Sequence, residues 1–392
     1  MVSDRVPAVE RVNRYPINRL SDQHETEVMA ENNILRQLDS AAPKRHQLEQ
    51  MQRFAGLGIG LSSVFAENLL SHPCITLRRQ CQVHHDSEWY HLTPFTMFTV
   101  IYTLQRNQSP ATLWKGIGSV FVVKGISLVS EAAISEFTPF PREVTRHTSL
   151  KKLGQHIILK GLTYLITTPF FAASLIETVQ SEIASERPGV LDCVKEGFSR
   201  LCGFGVAQTT RLLPIWKLLI PSVMYGLGHY MIKSVAQYTM MTFLHNEMKE
   251  DSDRGDSEPV KSMYDRYFPE LLATFSGSIC ADVMLYPLET VVHRLHVQGT
   301  RTIIDNTDIG LGVIPINTSY EGAIDCFKSI LINEGMLGFY KGFGALVIQY
   351  TLHVVILKLT KFLFELLTDE FEPRADDSNR SDNRKINRTP VQ

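Results

Sequence analysis

The chain has 392 residues, a net charge of −2, and 44% hydrophobic against 20% charged residues. This balance creates no basic field and sets nucleic acid aside as an expected partner, but it does not by itself separate soluble from membrane classes. The six cysteines (Cys74, Cys81, Cys193, Cys202, Cys280 and Cys326) include no C-x-x-C pair, so neither a disulfide framework nor a zinc site is expected.

Residues 1–50 are polar and lack sustained periodicity, which predicts a disordered N-terminal tail. The opening MVSDRVPAVERVNRYPINRL has no apolar core of a secretory signal, and Asp4 and Glu10 interrupt an acid-free transit helix. Any mitochondrial address is therefore expected to be internal. A second polar tail is expected over 372–392, and EMKEDSDRGDSEPVKS predicts a solvated linker over 247–262.

Between the tails lie six long apolar segments, at about 53–72, 116–136, 155–181, 212–244, 268–290 and 342–367. Each approaches or exceeds the ~20 residues a helix needs to cross a bilayer. They predict an all-α membrane protein. None is purely apolar: Glu67, Lys124, Glu131, Glu177, Lys217, Lys233, Asp282 and Lys358 lie within them. Each would cost about 2.5–3.5 kcal/mol at a lipid-facing helix centre, so the helices must shelter polar faces against one another. In the first segment Gly56, Gly60, Ser63 and Glu67 form such a stripe, and in the sixth Gln349, His353 and Thr360 share a wedge. A soluble bundle with long core helices is the bland alternative; six segments of this length argue against it.

Self-similarity divides the chain further. Pro73, Pro169 and Pro287 stand near the ends of the first, third and fifth segments, where a proline is expected to kink or end the helix. The third unit reads YEGAIDCFKSILINEGMLGFYKGFG; the first keeps Trp114, Lys115 and Gly116 against Tyr340, Lys341 and Gly342. The second keeps Gly189, Asp192 and Cys193 against Gly322, Asp325 and Cys326. The expected repeats are 51–145, 146–246 and 263–371.

On these residues the third unit resembles the mitochondrial carrier (solute carrier 25) repeat. Pro287, Glu289 and Arg294 fit its proline motif, Glu334 and Gly335 its acid-glycine pair, and Tyr340, Lys341 and Gly342 its aromatic-basic-glycine motif. The resemblance covers about 53–367 and implies the mitochondrial-carrier fold: six transmembrane helices in three pseudo-symmetric repeats with short connecting helices. Two stretches, HPCITLRRQCQV at 72–83 and the inserted loop QGTRTIIDNTDIGLGVIPINTSYEG at 298–322, narrow it to a branch of the mitochondrial outer membrane.

In that family, the acid and base of each proline motif form salt bridges between repeats that close one side of a cavity in one state and part in the other. This chain has Ile75, Phe171 and Glu289 at the acidic positions and Arg78, Ser174 and Val292 at the leading basic positions, so at most one pair can form. The second network is also depleted, since Phe364 and Glu365 are followed by Thr368. Without a bistable element ordinary solute exchange is not expected. The resemblance then implies a non-transporting adaptor of the outer membrane acting in mitochondrial fusion, fission, cristae organisation and lipid supply. It implies as partners mitofusins, the inner-membrane dynamin-like GTPase, the cristae-organising complex and an endoplasmic-reticulum membrane complex. A solute or lipid transporter using the carrier cavity is the competing expectation. With both termini in the cytosol, the carrier orientation would turn the inserted loop and residues 78–91 to the intermembrane space.

Other groups in the chain have simpler readings. Gly56, Gly58 and Gly60 lack a preceding strand and dinucleotide spacing, so helix packing is expected. Cys81, His84, His85 and His91 suggest a metal site, but with no second ligand pair a solvated loop is expected. His293 and His296 share a face with no third ligand, which points to an interfacial role. No triad or paired carboxylates can be placed, so neither catalysis nor a cofactor is expected. Arg78, Arg79, Lys115, Arg294, Arg301 and Lys341, placed near helix ends, are the candidate contacts for lipid head groups, cardiolipin among them.

Overall fold

The computed structural model describes residues 68–143, 149–183, 189, 191–202, 211–253 and 263–371. The described residues all belong to one compact unit. The expected tails and the Gly56–Glu67 stripe lie outside the described residues.

The unit is built of helices, in order α1 (68–83), α2 (Pro94–Asn107), a 3₁₀ turn (Pro110–Trp114), α3 (Ile117–Phe137), α4 (Leu150–Val179), α5 (Asp192–Cys202), α6 (Ile215–Asp253) and α7 (Met263–Val297). A small antiparallel hairpin follows, β1 (Ile303–Asp305) with β2 (Val313–Pro315), then α8 (Ala323–Asn333), a second 3₁₀ turn (Met336–Tyr340) and α9 (Phe343–Phe371). Starts are set by local chemistry. Pro94 and Pro110 fill first-turn positions where no N–H is needed, and the Ser149 hydroxyl accepts the Lys151 N–H at the start of α4.

Among the described residues, four stretches are long and apolar enough to cross a membrane: Pro110–Phe137, Leu150–Val179, Phe268–Val297 and Met336–Leu359. Their large apolar side chains point outward as well as inward. Leu128 and Val129 on α3, Ile158 and Leu165 on α4, Met284 on α7 and Val355 on α9 are exposed. In water such a surface would be an aggregation hazard; against lipid it costs nothing. This surface counts against the soluble-bundle alternative on physical grounds.

The prolines do not end their helices. Helices α1, α4 and α7 each run ten residues past Pro73, Pro169 and Pro287, to 83, Val179 and Val297. The expected linker is also shorter than its composition suggested, because α6 continues to Asp253 before residues 254–262, which lie outside the described set. The run NEMKEDSD is rich in good helix formers, and a polar helix extending an amphipathic one reads in sequence like a linker.

The ends of α1, α4 and α7 meet. The Gln80 amide donates to the Val179 carbonyl at 3.4 Å, Gln82 meets His293 at 2.6 Å, and the inserted hairpin closes on them through an isolated bridge between Gln180 and Ile304. Val83, Leu175, Val179, Val297, Ile304 and Ile316 form a buried cluster at this junction.

Candidate functional site

The site is the place where the three helix ends converge. At its inner level, Arg78 of α1 pairs with Glu289 of α7 at 3.1 Å, with Asp282 3.6 Å away on the other side of the guanidinium. Asp282 also meets His229 Nε2 of α6 at 2.8 Å and accepts the Tyr350 hydroxyl of α9 at 2.8 Å. The Gln82 amide donates to Glu289 at 3.1 Å, and its carbonyl oxygen takes the Nδ1–H of His293. The single acid-base pair permitted by the proline motifs is thus formed, between the first and third units.

The proline-motif positions of the second unit carry no charge. Phe171, at the expected acidic position, stacks on His293 with centroids 6.0 Å apart and meets His296 edge-on, and the Arg79 guanidinium lies 5.7 Å from its ring centre. Ser174, at the expected basic position, shares a 2.9 Å hydrogen bond with Ser119 of α3. His296 is held by the Ser222 hydroxyl at 2.7 Å. A ring that would need several ion pairs is closed instead by one ion pair, one aromatic cluster and neutral hydrogen bonds. Desolvating a lone charge is avoided because acid and base are missing together.

At the outer level the inserted hairpin supplies Asp305, which is buried. Its Oδ2 takes the Lys115 ammonium at 2.9 Å and the Gln80 amide at 3.0 Å; its Oδ1 takes the Ser181 hydroxyl at 2.5 Å and the Gln108 amide at 3.1 Å. Burial opposes ionisation of this carboxyl, but Lys115, Ser181 and Gln108 outweigh it and hold its pKa below the usual range. One side chain therefore ties α1, the α2–α3 connection and the end of α4 to the segment after α7.

The turn of the hairpin is fixed as firmly. His84 Nδ1 lies 2.7 Å from the Thr307 hydroxyl, His91 donates Nε2–H to the Thr307 carbonyl at 2.9 Å, and Asp308 accepts the backbone N–H groups of Glu88 and Trp89. Cys81, His84 and His91 are buried. The expected solvated loop is corrected: the inserted segment folds back over it, which the segment's own composition does not reveal. Among the described residues no three His, Cys, Asp or Glu side chains converge as metal ligands.

The aromatic-basic-glycine motifs are explained by their geometry. Gly116 (φ +68°) and Gly342 (φ +80°) take left-handed backbone, and a Cβ would stand 2.7 Å from Thr178 Cγ2 and 2.8 Å from Cys81 Cβ respectively. The residues before Pro73 and Pro287 grip the lysine carbonyls: His72 donates Nε2–H to Lys115 O at 2.9 Å, and Tyr286 donates its hydroxyl to Lys341 O at 2.8 Å. Lys115 then reaches Asp305. Lys341 reaches Glu334 at 2.7 Å and the carbonyls of His84 and His85 at 3.1 and 3.0 Å. Trp114 donates to the Leu69 carbonyl, and Tyr340 stacks on Tyr286. Gly335 (φ +71°) turns the chain so that Glu334 also receives Arg294 bidentately. In the second unit Asp192 caps α5 through the Gly189 N–H at 2.6 Å, as Asp325 accepts the Glu321 N–H at α8.

These placements bear on the candidate lipid contacts. Arg78, Arg79 and Arg294 lie within helices α1 and α7, not beyond their ends. Arg78, Lys115, Arg294 and Lys341 are buried with their charges turned inward onto Glu289, Asp305 and Glu334. Arg79 is half-buried and donates to the Thr178 hydroxyl at 3.2 Å, whereas Arg301 is exposed on a left-handed turn.

Comparison with known proteins agrees with this geometry. Residues 265–367 match the family described as mitochondrial carrier protein. The chain is 58% identical over 319 residues to Mitochondrial outer membrane protein SLC25A46 of Gallus gallus, covering 81% of this chain and 78% of the relative. It is 55% identical to the Homo sapiens protein of that name, covering 81% and 76%, and 53% identical to that of Danio rerio, covering 84% and 81%.

Proposed function

Because the chain belongs to the mitochondrial carrier family, we propose that it is a non-transporting member, seated multi-pass in the mitochondrial outer membrane and acting as an adaptor. Its fold on this reading is three helix pairs, six spans in all, pinned at one end by the inserted hairpin. The observation that carries the proposal is Asp305, which receives four donors from the first and second units while belonging to the third.

A carrier alternates because its end closure has two states of similar energy. Opening this end would strip a buried carboxylate of its lysine and three further donors, and would break the Arg78–Glu289 pair beneath it. Removing one partner of a single buried pair already costs about 3–5 kcal/mol. The closed arrangement is a fixed part of the fold, so the protein offers surfaces to partners while its interior stays shut. The family resemblance supplies the partners: mitofusins, the inner-membrane dynamin-like GTPase, the cristae-organising complex and an endoplasmic-reticulum membrane complex, in fusion, fission, cristae organisation and lipid supply. Proximity labelling of the chain on intact mitochondria tests this. Enrichment of those factors supports the adaptor; a profile without any of them, with normal mitochondrial shape after deletion, contradicts it.

A second reading is favoured by Asp282, whose contacts with His229, Tyr350 and Arg78 place ionisable groups among the spans. On that reading the interior moves a solute or lipid. Solute exchange and lipid scrambling by the reconstituted protein separate the two.

A further inference from the structure

The hairpin that closes the site leaves its own turn uncovered. Ile309, Leu311 and Val313 are 59%, 50% and 38% exposed, and Trp89, on the connection between α1 and α2, is 58% exposed. These positions adjoin one another. Asp308 accepts the backbone N–H of Trp89 at 3.1 Å, which sets Trp89 beside Ile309, and Gly310 packs so closely on α2 that a Cβ would stand 2.9 Å from Thr103 Cβ. The contacts that hold the hairpin run through Asp305, Thr307 and Asp308, so the four apolar side chains are left over from its fixing. All four lie outside the membrane-length stretches. Large apolar side chains gathered on such an end surface mark an interaction site.

Charge and backbone geometry narrow the occupant. Asp86 and Glu88 stand exposed beside Trp89, with Asp308 between Trp89 and the turn. His85 meets Asp86 at 2.9 Å, but burial lowers the histidine pKa, so the imidazole is neutral at pH 7 and leaves the Asp86 charge uncancelled. Arg106, one helical turn beyond Thr103, is outnumbered, and Arg301 stands at the end of the hairpin away from its turn. An anionic lipid surface is therefore repelled and a cationic segment attracted. Strand addition is disfavoured as well. The Asn306 N–H bonds the Gly312 carbonyl and the Ile316 N–H bonds the Thr302 carbonyl, so in this register Val313 and Pro315 turn their backbone groups to the free edge of β2. Pro315 has no N–H, which leaves Val313 as the donor that β2 offers there. A partner therefore docks on side chains, and apolar anchors flanked by acids suit an amphipathic helix with a basic flank.

We propose that Trp89 and the turn of the inserted hairpin are the docking surface for an amphipathic helix of a protein partner, one that carries apolar residues on one face and lysine or arginine beside them. This rests on the adaptor reading and gives it a surface and a recognition chemistry. The helix seats its apolar face on Trp89, Ile309 and Leu311 and sets its bases against Asp86 and Glu88. Because the hairpin is pinned at Asp305, the surface is presented ready-made, without an ordering cost of its own on binding.

The test uses the full chain in phosphatidylcholine nanodiscs and two labelled probes: a designed helical peptide with a leucine face and lysine flanks, and its twin with glutamate for lysine. Fluorescence anisotropy, with empty nanodiscs subtracted, is expected to show several-fold tighter binding of the lysine peptide. Asp86→Lys with Glu88→Lys is expected to reverse that preference, and Ile309→Ser with Leu311→Ser to abolish binding of both peptides at an unchanged melting temperature. Equal binding of the two peptides, or a preference that survives the charge reversal, overturns the proposal. Should the serine variant unfold, the charge reversal at the two exposed acids decides alone. The natural occupant is read by a photo-cross-linking residue in place of Leu311 in intact mitochondria. Adducts on a lysine- or arginine-rich amphipathic stretch of a protein are expected; adducts only on lipid or on acidic sequence, or none at all, overturn the proposal. A proximity-labelling profile without fusion, fission or cristae factors would instead contradict the adaptor reading, whatever the peptides show.

Discussion

Lys115 and Asp305 are 190 positions apart in the chain, yet their Nζ and Oδ2 atoms meet at 2.9 Å with both side chains buried. Asp305→Ala strands the ammonium together with Gln80, Gln108 and Ser181. Such stranding costs about 3–5 kcal/mol, so the detergent-solubilised variant should melt well below the parent. The pair Lys115→Met with Asp305→Asn should recover much of the loss. An unchanged melting temperature for Asp305→Ala would mean that the pin carries no load.

The Arg78–Glu289 pair predicts strong non-additivity. Either Arg78→Gln or Glu289→Gln leaves a buried charge without its partner at 3.1 Å, so each single change should destabilise. The double change should cost less than the sum, with a coupling on the order of 0.5–3 kcal/mol. Additive losses in a double-mutant cycle would show that Arg78 is held by Asp282 alone.

Gly116→Ala and Gly342→Ala should both destabilise. The left-handed backbone alone costs roughly 1–2 kcal/mol for a residue with a Cβ, and each new methyl would press on Thr178 or Cys81. Gly125, with nothing within 4 Å of a built Cβ, is the internal control: Gly125→Ala should be neutral or better. Thermal melts of the three variants check this in one experiment.

Acid should loosen the hairpin. Burial is the main cause that lowers His84 from 6.5 to about 4, and burial likewise lowers His91. Both lie outside the membrane-length stretches and both hold Thr307. Below pH 6.5 the unfolded chain takes up a proton that His84 in the folded chain refuses until about 4, and His91 resists its proton in the same direction, so stability present above 6.5 is lost as pH falls through this window. Melting at pH 7 and pH 5 should differ in that direction, and His84→Gln should reduce the difference. A melting temperature that rises on acidification would contradict the neutral, buried assignment.

Much of the architecture was legible from one strand of information. Pro73, Pro169 and Pro287 each lie ten residues before the end of a helix, and the missing partners at Ile75, Phe171, Ser174 and Val292 limit the closure to one ion pair between the proline motifs, as found at Arg78 and Glu289. Composition could not reveal what replaced the lost pairs. Gln80, Gln82 and Asp305 carry no motif, and their roles exist only because the inserted loop folds back on helices distant in sequence. Two features of the sequence carry a signal for it: Lys115 keeps its motif with Gln108 where the third unit has Glu334, and His72 and Tyr286 stand at matching places before Pro73 and Pro287. The expectation of lipid contacts at Arg78 and Arg294 rests on helix ends placed too early, since a proline near the end of an apolar segment does not reveal ten further helical residues; that at Lys115 and Lys341 rests on their place before a glycine at a helix start, which does not reveal the acids they meet.

The proposed adaptor role requires a closure that does not open. Its most direct test is transport by the full chain reconstituted into sealed vesicles, with a conventional mitochondrial carrier run in parallel, measuring exchange of a panel of small solutes together with lipid scrambling. The account predicts vesicles as tight as protein-free ones for every solute and lipid tested; a rapid, saturable flux through the unmodified protein would contradict it.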